Sequence, residues 1–230
     1  MSTAVVLGMG GLGCPAALAL AEQVPGVRLL LVDPDRVERS NLSRQILFTE
    51  ADVGAPKAEV AARRLARLVP GARVEPRVLR FGPASASGLL DGCDVLLDGT
   101  DSFETRFAAN DAACAGRVPL VHGAVLGWDG QLLTVLPGQG SCLRCLFEEP
   151  PPPGALPTCA EAGVASPLCG VVGAAMASEA ARILLGERPR SLARLHRWDG
   201  LRGTERDVPV PRDPHCPACA LAPEADLRHP

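Results

Sequence analysis

Short, unbroken apolar runs alternate with amphipathic or small-residue stretches through the first half of the chain. Ala4 to Leu7 is apolar and is followed at once by Gly8-Met9-Gly10-Gly11-Leu12-Gly13. A small-residue helix is predicted over Pro15 to Ala21, then a second apolar run, Val27 to Val32, stops at Asp33-Pro34-Asp35. Continuous rather than alternating apolar runs are the mark of parallel strands buried on both faces. Helical stretches are predicted around Ser40 to Phe48 and over Lys57 to Leu68, the latter with Val60, Leu65 and Leu68 on one side. Arg73 to Leu79 alternates like a strand. Cys93 to Leu97 reads as a short buried strand ending in Asp98-Gly99-Thr100-Asp101, with a helix from Glu104 to Ala115 behind it. Pro119 to Gly123 reads as another strand, and Leu126 to Pro137 as an antiparallel hairpin around Asp129-Gly130. Four prolines at 150 to 153 interrupt any regular element before a long Ala- and Gly-rich helix over Gly170 to Gly186.

The pattern predicts an α/β fold: a Rossmann-like, mostly parallel sheet with helices on both faces and an antiparallel extension. One domain is expected over 1–230. It divides into a core over 1–137, an irregular loop over 138–169, and a region over 170–230 with the long helix and a proline-rich tail. At 230 residues, 47% hydrophobic and 21% charged, the chain can bury a substantial core. Aromatics make up only 3% and Tyr is absent, so the core is aliphatic and stacking platforms for single strands are not expected. With a net charge of −3 and scattered arginines, neither a nucleic-acid nor a membrane partner is expected. The first residues carry no basic leading region and read as strand and helix rather than as a signal, which implies a cytoplasmic protein.

Gly8, Gly10 and Gly13 have the spacing of a phosphate-binding turn: one glycine for the bend, one for close approach of a phosphate, one for helix–strand packing. Asp33, twenty residues past Gly13 at the end of the second strand, suits a ribose hydroxyl. Taken alone, these features point to NAD and a dehydrogenase. The next segment changes the picture. Ser40-Asn41-Leu42-Ser43-Arg44-Gln45 and, after Gly54-Ala55-Pro56, Lys57 place two cations beside the turn. An enzyme that neutralises a triphosphate needs such cations; a dehydrogenase does not. Asp98 and Asp101 close a strand on the same sheet edge, where a carboxylate can hold Mg²⁺ bridging phosphate oxygens.

The strings GMGGLGCPAALALA, VDPDRVERSNLSRQILF, GAPKAEVAARRL, DGTDSFETRFAANDA, CLRCLF, TCAEAGV and HCPAC, in that order, resemble the ThiF/MoeB/HesA family, bacterial relatives of ubiquitin-activating enzymes. The resemblance runs from residue 4 to about 220. It implies ATP- and Mg²⁺-dependent adenylation of the C-terminal glycine of a small ubiquitin-like β-grasp sulfur-carrier protein of the ThiS/MoaD type, ending in Gly-Gly. It also implies pyrophosphate release and preparation for thiocarboxylate formation. By the same resemblance Gly8, Gly10, Gly11 and Gly13 form the nucleotide loop and Asp33 holds the ribose. Asn41, Arg44, Gln45 and Lys57 contact phosphates, and Asp101 holds Mg²⁺. The family's Thr-Asp-Asn reads Thr100-Asp101-Ser102 here. Relatives carry an N-terminal helical segment whose arginine enters the neighbouring subunit's site. The first strand here begins at residue 4, so Arg106 or a partner residue is the candidate replacement. A homodimer is expected, as is a separate sulfur donor, a cysteine desulfurase or rhodanese, because no rhodanese-like domain follows.

Nine cysteines sort by spacing. Cys142-x-x-Cys145 and Cys216-x-x-Cys219 have the count and close pairing of a structural zinc knuckle, which would staple the tail to the central loop across seventy residues. Cys159, between the prolines and the long helix, is the candidate for sulfur transfer or transient covalent linkage, a role the resemblance implies for some members. Cys14, Cys93 and Cys114 read as core, and Cys169 as packing or a second thiol. No histidine shows ligand pairing. Three other readings stay open: an NAD-dependent oxidoreductase, a non-catalytic scaffold for a ubiquitin-like protein, and adenylation of a ribosomal peptide.

Overall fold

In a computed structural model of the chain, residues 1–152, 154–155 and 159–220 are described, 159 and 160 by their backbone only. One eight-stranded sheet runs through them in the order β3-β2-β1-β4-β5-β6-β7-β8. Its parallel half comprises β1 (Thr3–Leu7), β2 (Arg28–Val32), β3 (Arg73–Arg77), β4 (Val95–Asp98) and β5 (Leu120–Leu126). The antiparallel half adds β6 (Asp129–Val135), β7 (Arg194–Asp199) and β8 (Thr204–Pro209). The apolar runs fall where full burial requires them: Ala4, Val5, Leu29, Leu31, Leu96 and Leu97 are all completely inaccessible.

Helices cover both faces, as the pattern predicts. On one side lie α1 (Gly13–Gln23), α2 (Lys57–Leu68) and α7 (Ser166–Leu184); on the other lie α3 (Pro83–Leu90) and α4 (Phe103–Gly116). Two turns of helix, α5 (Leu143–Leu146) and α6 (Cys159–Ala162), sit in the irregular region. By length and apolarity α7 could cross a membrane, yet its Val172, Met176, Ala177 and Ala180 are wholly buried in the core that includes α1 residues. Burial of a Val or Met side chain contributes about 1.5–3 kcal/mol, so α7 is a core helix of this fold.

Three local expectations shift. Ser40 to Phe48 is not an α-helix: a 3-10 turn covers Arg39–Asn41 and further turns follow. The Asn41 side chain bonds Glu38, Arg44 and Gln45, local bonds that compete with a helical ladder. The hairpin bends at Gly127-Trp128, not at Asp129-Gly130, since Asp129 already pairs with Leu126. Gly127 has φ 57° and supplies the turn conformation. Gly130 is needed inside β6 instead, because a Cβ there would stand 2.8 Å from Val172 Cγ2. Finally α7 starts at Ser166, four residues before Gly170, with a proline in its first turn, where the missing N–H costs nothing.

Candidate functional site

Strand order reverses direction around β1 and β4, and the sheet opens there at the carboxyl ends of its parallel strands. A cleft of about 330 Å³ occupies this crevice. Its floor is the glycine turn. Gly8 sits at φ +81° with its N–H bonded to Val32 O at 2.8 Å, which ties the turn to β2. A Cβ on Gly13 would lie 1.7 Å from Gly8 O, so only glycine lets α1 start this close to β1. No side chain caps the N-terminus of α1, whose Leu12 N-cap position lines the cleft. An uncapped helix start presents N–H groups and a positive dipole end to an anion.

Asp33 closes the turn from the β2 side. Its two oxygens accept from Met9 N at 2.6 Å and Asp35 N at 2.7 Å. Burial lifts its pKa above the usual value, and the Lys57 charge and the two N–H groups only partly oppose this. Each oxygen retains a lone pair for a further donor. Lys57, the first residue of α2, is almost wholly buried and places Nζ 3.1 Å from Asp35 Oδ2, while Asp35 itself is largely exposed in the cleft. Across from it, Asn41 Oδ1 accepts from Arg44 at 2.8 Å and from Gln45 at 3.3 Å. Arg44 therefore bonds to Asn41 and the Ser40 carbonyl, not to Glu38 or Glu50; Glu50 pairs with Arg39. Gln45 is 3% exposed and its Oε1 has no partner among the described residues, a buried acceptor beside the glycine turn.

The third wall follows β4. Asp98 is fully buried, with Oδ1 accepting from the Thr100 N–H at 3.0 Å and its hydroxyl at 2.7 Å, and Oδ2 2.9 Å from His122 Nδ1. Burial works to raise its pKa, but the His122 contact, the Arg106 charge and the Thr100 bond outweigh it and hold the carboxyl low. Asp98 is thus not a free metal ligand. Asp101 is the acid that lines the cleft, exposed. Ser102 caps α4, accepting from Thr105 N at 3.3 Å. Arg106 lines the same wall, donating to the Thr100 carbonyl at 3.0 and 2.8 Å with its guanidinium 5.2 Å from the Phe103 ring.

On the α4 face, the Sγ atoms of Cys142, Cys145, Cys216 and Cys219 all lie within 4.8 Å of one another, with Cys142–Cys216 at 3.6 Å and Cys145–Cys219 at 3.4 Å. A tetrahedron of zinc–sulfur bonds of about 2.3 Å has edges of about 3.8 Å, so the donor set fits zinc. Backbone and side-chain N–H groups already point at the sulfurs: Asn110 Nδ2 at 3.7 Å from Cys142 and Asp213 N at 3.5 Å from Cys145. Such outer contacts orient thiolates in metal sites.

Residues 1–218 match the model of the ThiF family. The chain belongs to the ThiF family. It is 45% identical over 227 residues to the sulfur carrier protein adenylyltransferase of Thermus thermophilus, covering 96% of this chain and 83% of the relative. Over 218 residues it is 44% identical to the SAMP-activating enzyme E1 of Haloferax volcanii, covering 95% and 80%. Among solved structures, Escherichia coli MccB crystallised with ATP superposes with a TM-score of 0.83 at 22% identity, covering 95% of this chain and 67% of that one. That likeness concerns the fold.

In this ThiF-family chain the cleft gathers Gly8, Gly10, Gly11, Asp33, Asn41, Arg44, Gln45, Lys57 and Asp101 from five separate segments. Gly13 lies beneath the floor. The Cys159 side chain falls outside the described residues. Cys169 and Val164, from the same stretch, line the cleft. Cys14 faces the core, where burial pushes its thiol up to about 12, and it is no nucleophile. The sequence reading missed Asp35, the Leu79–Phe81 wall and the buried His122. Asp35 was visible in the Asp-x-Asp spacing after β2. His122 gave no signal, because its partner Asp98 lies on a different strand and only sheet register brings them together.

Proposed function

We propose that this chain adenylates the C-terminal glycine carboxylate of a small ubiquitin-like β-grasp sulfur-carrier protein of the ThiS/MoaD type, using ATP, releasing pyrophosphate and preparing the carrier for thiocarboxylate formation. The observation that carries the proposal is the convergence of two cations and an acid, Arg44, Lys57 and Asp101, on a glycine turn, in a chain 45% identical to a sulfur carrier protein adenylyltransferase. In the reaction a carboxylate oxygen of the carrier attacks the α-phosphorus of ATP and the bond to pyrophosphate breaks. Negative charge spreads onto the phosphate oxygens as it does so, and fixed cations are worth most where water is excluded.

Each residue has a part in this proposal. Gly8, Gly10, Gly11 and the start of α1 cradle phosphates through N–H groups, with Gly13 allowing the close approach. Asp33 takes ribose hydroxyls. Asn41 holds Arg44 and Gln45 in place. Arg44 and Lys57 neutralise the phosphates, Lys57 leaving Asp35 to do so. Arg106 supplies a further cation on the Asp101 wall. Asp101 would hold Mg²⁺, which when bound contributes charge neutralisation across the phosphates. Cys142, Cys145, Cys216 and Cys219 hold a structural zinc with no open position. Cys159 either takes the carrier as a thioester, its thiolate displacing AMP from the adenylate, or takes sulfane sulfur from a persulfide on the separate donor, whose thiolate leaves. The enzyme works as a homodimer in the cytoplasm with a separate sulfur donor, a cysteine desulfurase or rhodanese.

Intact-mass spectrometry of a Gly-Gly-ending carrier incubated with ATP and the enzyme tests this. A carrier–adenylate mass with wild type and with Cys159→Ala is expected, and any covalent enzyme–carrier species is lost in Cys159→Ala alone. Loss of the adenylate in Cys159→Ala would overturn the role given to that cysteine.

A further inference from the structure

Asp101, proposed above as the Mg²⁺ ligand, has no side-chain anchor among the described residues; its position depends on the turn that carries it. That turn is held from behind. Asp98, the last residue of β4, grips Thr100 through both its N–H (3.0 Å) and its hydroxyl (2.7 Å), and Thr100 in turn offers its carbonyl to Arg106 at 3.0 and 2.8 Å. The remaining Asp98 oxygen meets His122 Nδ1 at 2.9 Å, and the two residues are direct partners in the β4–β5 register. His122 is 5% exposed and Asp98 is fully buried.

A carboxylate in this position is an acceptor only, so the hydrogen in the contact belongs to His122 Nδ1. A buried carboxylate left with an unfilled oxygen is costly and relieves that cost by turning toward another donor or by protonating. Either outcome loosens the grip on Thr100. Asp101, the next residue along this turn, would lose its fixed placement, whereas Arg106 stays held by α4 and by the Phe103 ring. Gly99 cannot compensate: its backbone is packed against Gly13 N and the Leu12 side chain, with a Cβ there only 3.1 Å from each.

We infer that His122 is a positioning residue for adenylation: through Asp98 and Thr100 it sets Asp101 in the cleft. The inference rests on the nucleotide reading of the cleft, and it assigns His122 no contact with substrate.

The test is ATP affinity by calorimetry with Mg²⁺ and with EDTA, on the full chain. Wild type is expected to bind ATP more tightly with Mg²⁺, by roughly tenfold, the scale of one hydrogen bond to a charged group. His122→Leu should lose most of that Mg²⁺ increment, while its affinity in EDTA stays within about threefold of wild type. His122→Asn, whose side-chain amide puts an N–H where Nδ1 stood, should keep the increment. Should the leucine chain fail to fold, His122→Gln replaces it: its amide lies one carbon too far out and should lose the increment that Asn keeps. An increment that survives in His122→Leu, or affinities that fall equally with and without Mg²⁺, overturns the inference. So does a wild type that binds ATP with no Mg²⁺ increment. A wild type that binds no ATP at all refutes the nucleotide reading itself.

Discussion

Asp98, at the end of β4, and Asp33, just past the end of β2, are buried carboxylates on the two strands that flank β1, yet their environments push them in opposite directions. Asp33 meets two backbone N–H groups and a distant lysine, and burial prevails, raising its pKa. Asp98 meets His122, Arg106 and Thr100, and these prevail over burial, holding it below the ordinary carboxylate value. The linkage sign follows. A carboxylate depressed in the folded state contributes stability above its unfolded value, and that stability disappears as pH falls through the folded value. Removing His122 leaves the burial penalty less opposed. His122→Leu is therefore expected to destabilise the fold on the order of 3 kcal/mol at neutral pH and to begin acid unfolding at a higher pH than wild type. Denaturant melts across a pH series check this, and superimposable pH profiles for the two proteins would contradict it.

Among the elements, the β1–α1 junction and the cysteine cluster carry the most consequence for the least sequence. A Cβ 1.7 Å from Gly8 O cannot be accommodated, so in Gly13→Ala either α1 or the turn must move. A loss of at least about 3 kcal/mol is expected, from backbone displacement in a close-packed core. ATP binding should fail with it, read by thermal melts and calorimetry; a wild-type melt would refute the junction's role. The four-cysteine cluster joins α5 to the segment after β8. Chelation or Cys216→Ser should release one zinc per chain, read by elemental analysis, and lower the melting temperature without abolishing nucleotide binding in the cleft, which none of the four cysteines lines.

These elements also show what the sequence could and could not disclose. β1, β2 and β4 were legible because both faces are buried and the apolar runs are unbroken. The cysteine pairs were legible because ligand spacing within each pair is local. β7 and β8 were foreseen only as an antiparallel extension: four of the six residues of Arg194–Asp199 are polar and every residue of β8 is exposed, so neither carries an apolar stripe. The 3-10 turn at Arg39–Asn41 was masked by residues whose side chains bond locally, a competition that periodicity does not register. His122 was invisible because its meaning depends on a partner 24 residues away on the next strand.

Over the whole molecule, the sheet divides its labour. The parallel half builds the cleft at its carboxyl ends, while the antiparallel half extends the sheet beyond β5 and carries the chain on to the cysteine-rich tail. That layout puts the cleft at the strand-order switch and leaves the four-cysteine cluster off it. The central claim is that this cleft couples ATP to the C-terminal carboxylate of a carrier protein. ATP–pyrophosphate exchange, with purified enzyme and a panel of β-grasp proteins ending in Gly-Gly, tests that claim most directly. The account predicts exchange that requires one particular carrier and falls by at least about a hundredfold in Lys57→Ala, the scale expected for a buried cation facing transferring phosphates. Carrier-independent exchange, undiminished exchange in Lys57→Ala, or ATP binding with no exchange for any carrier would contradict it.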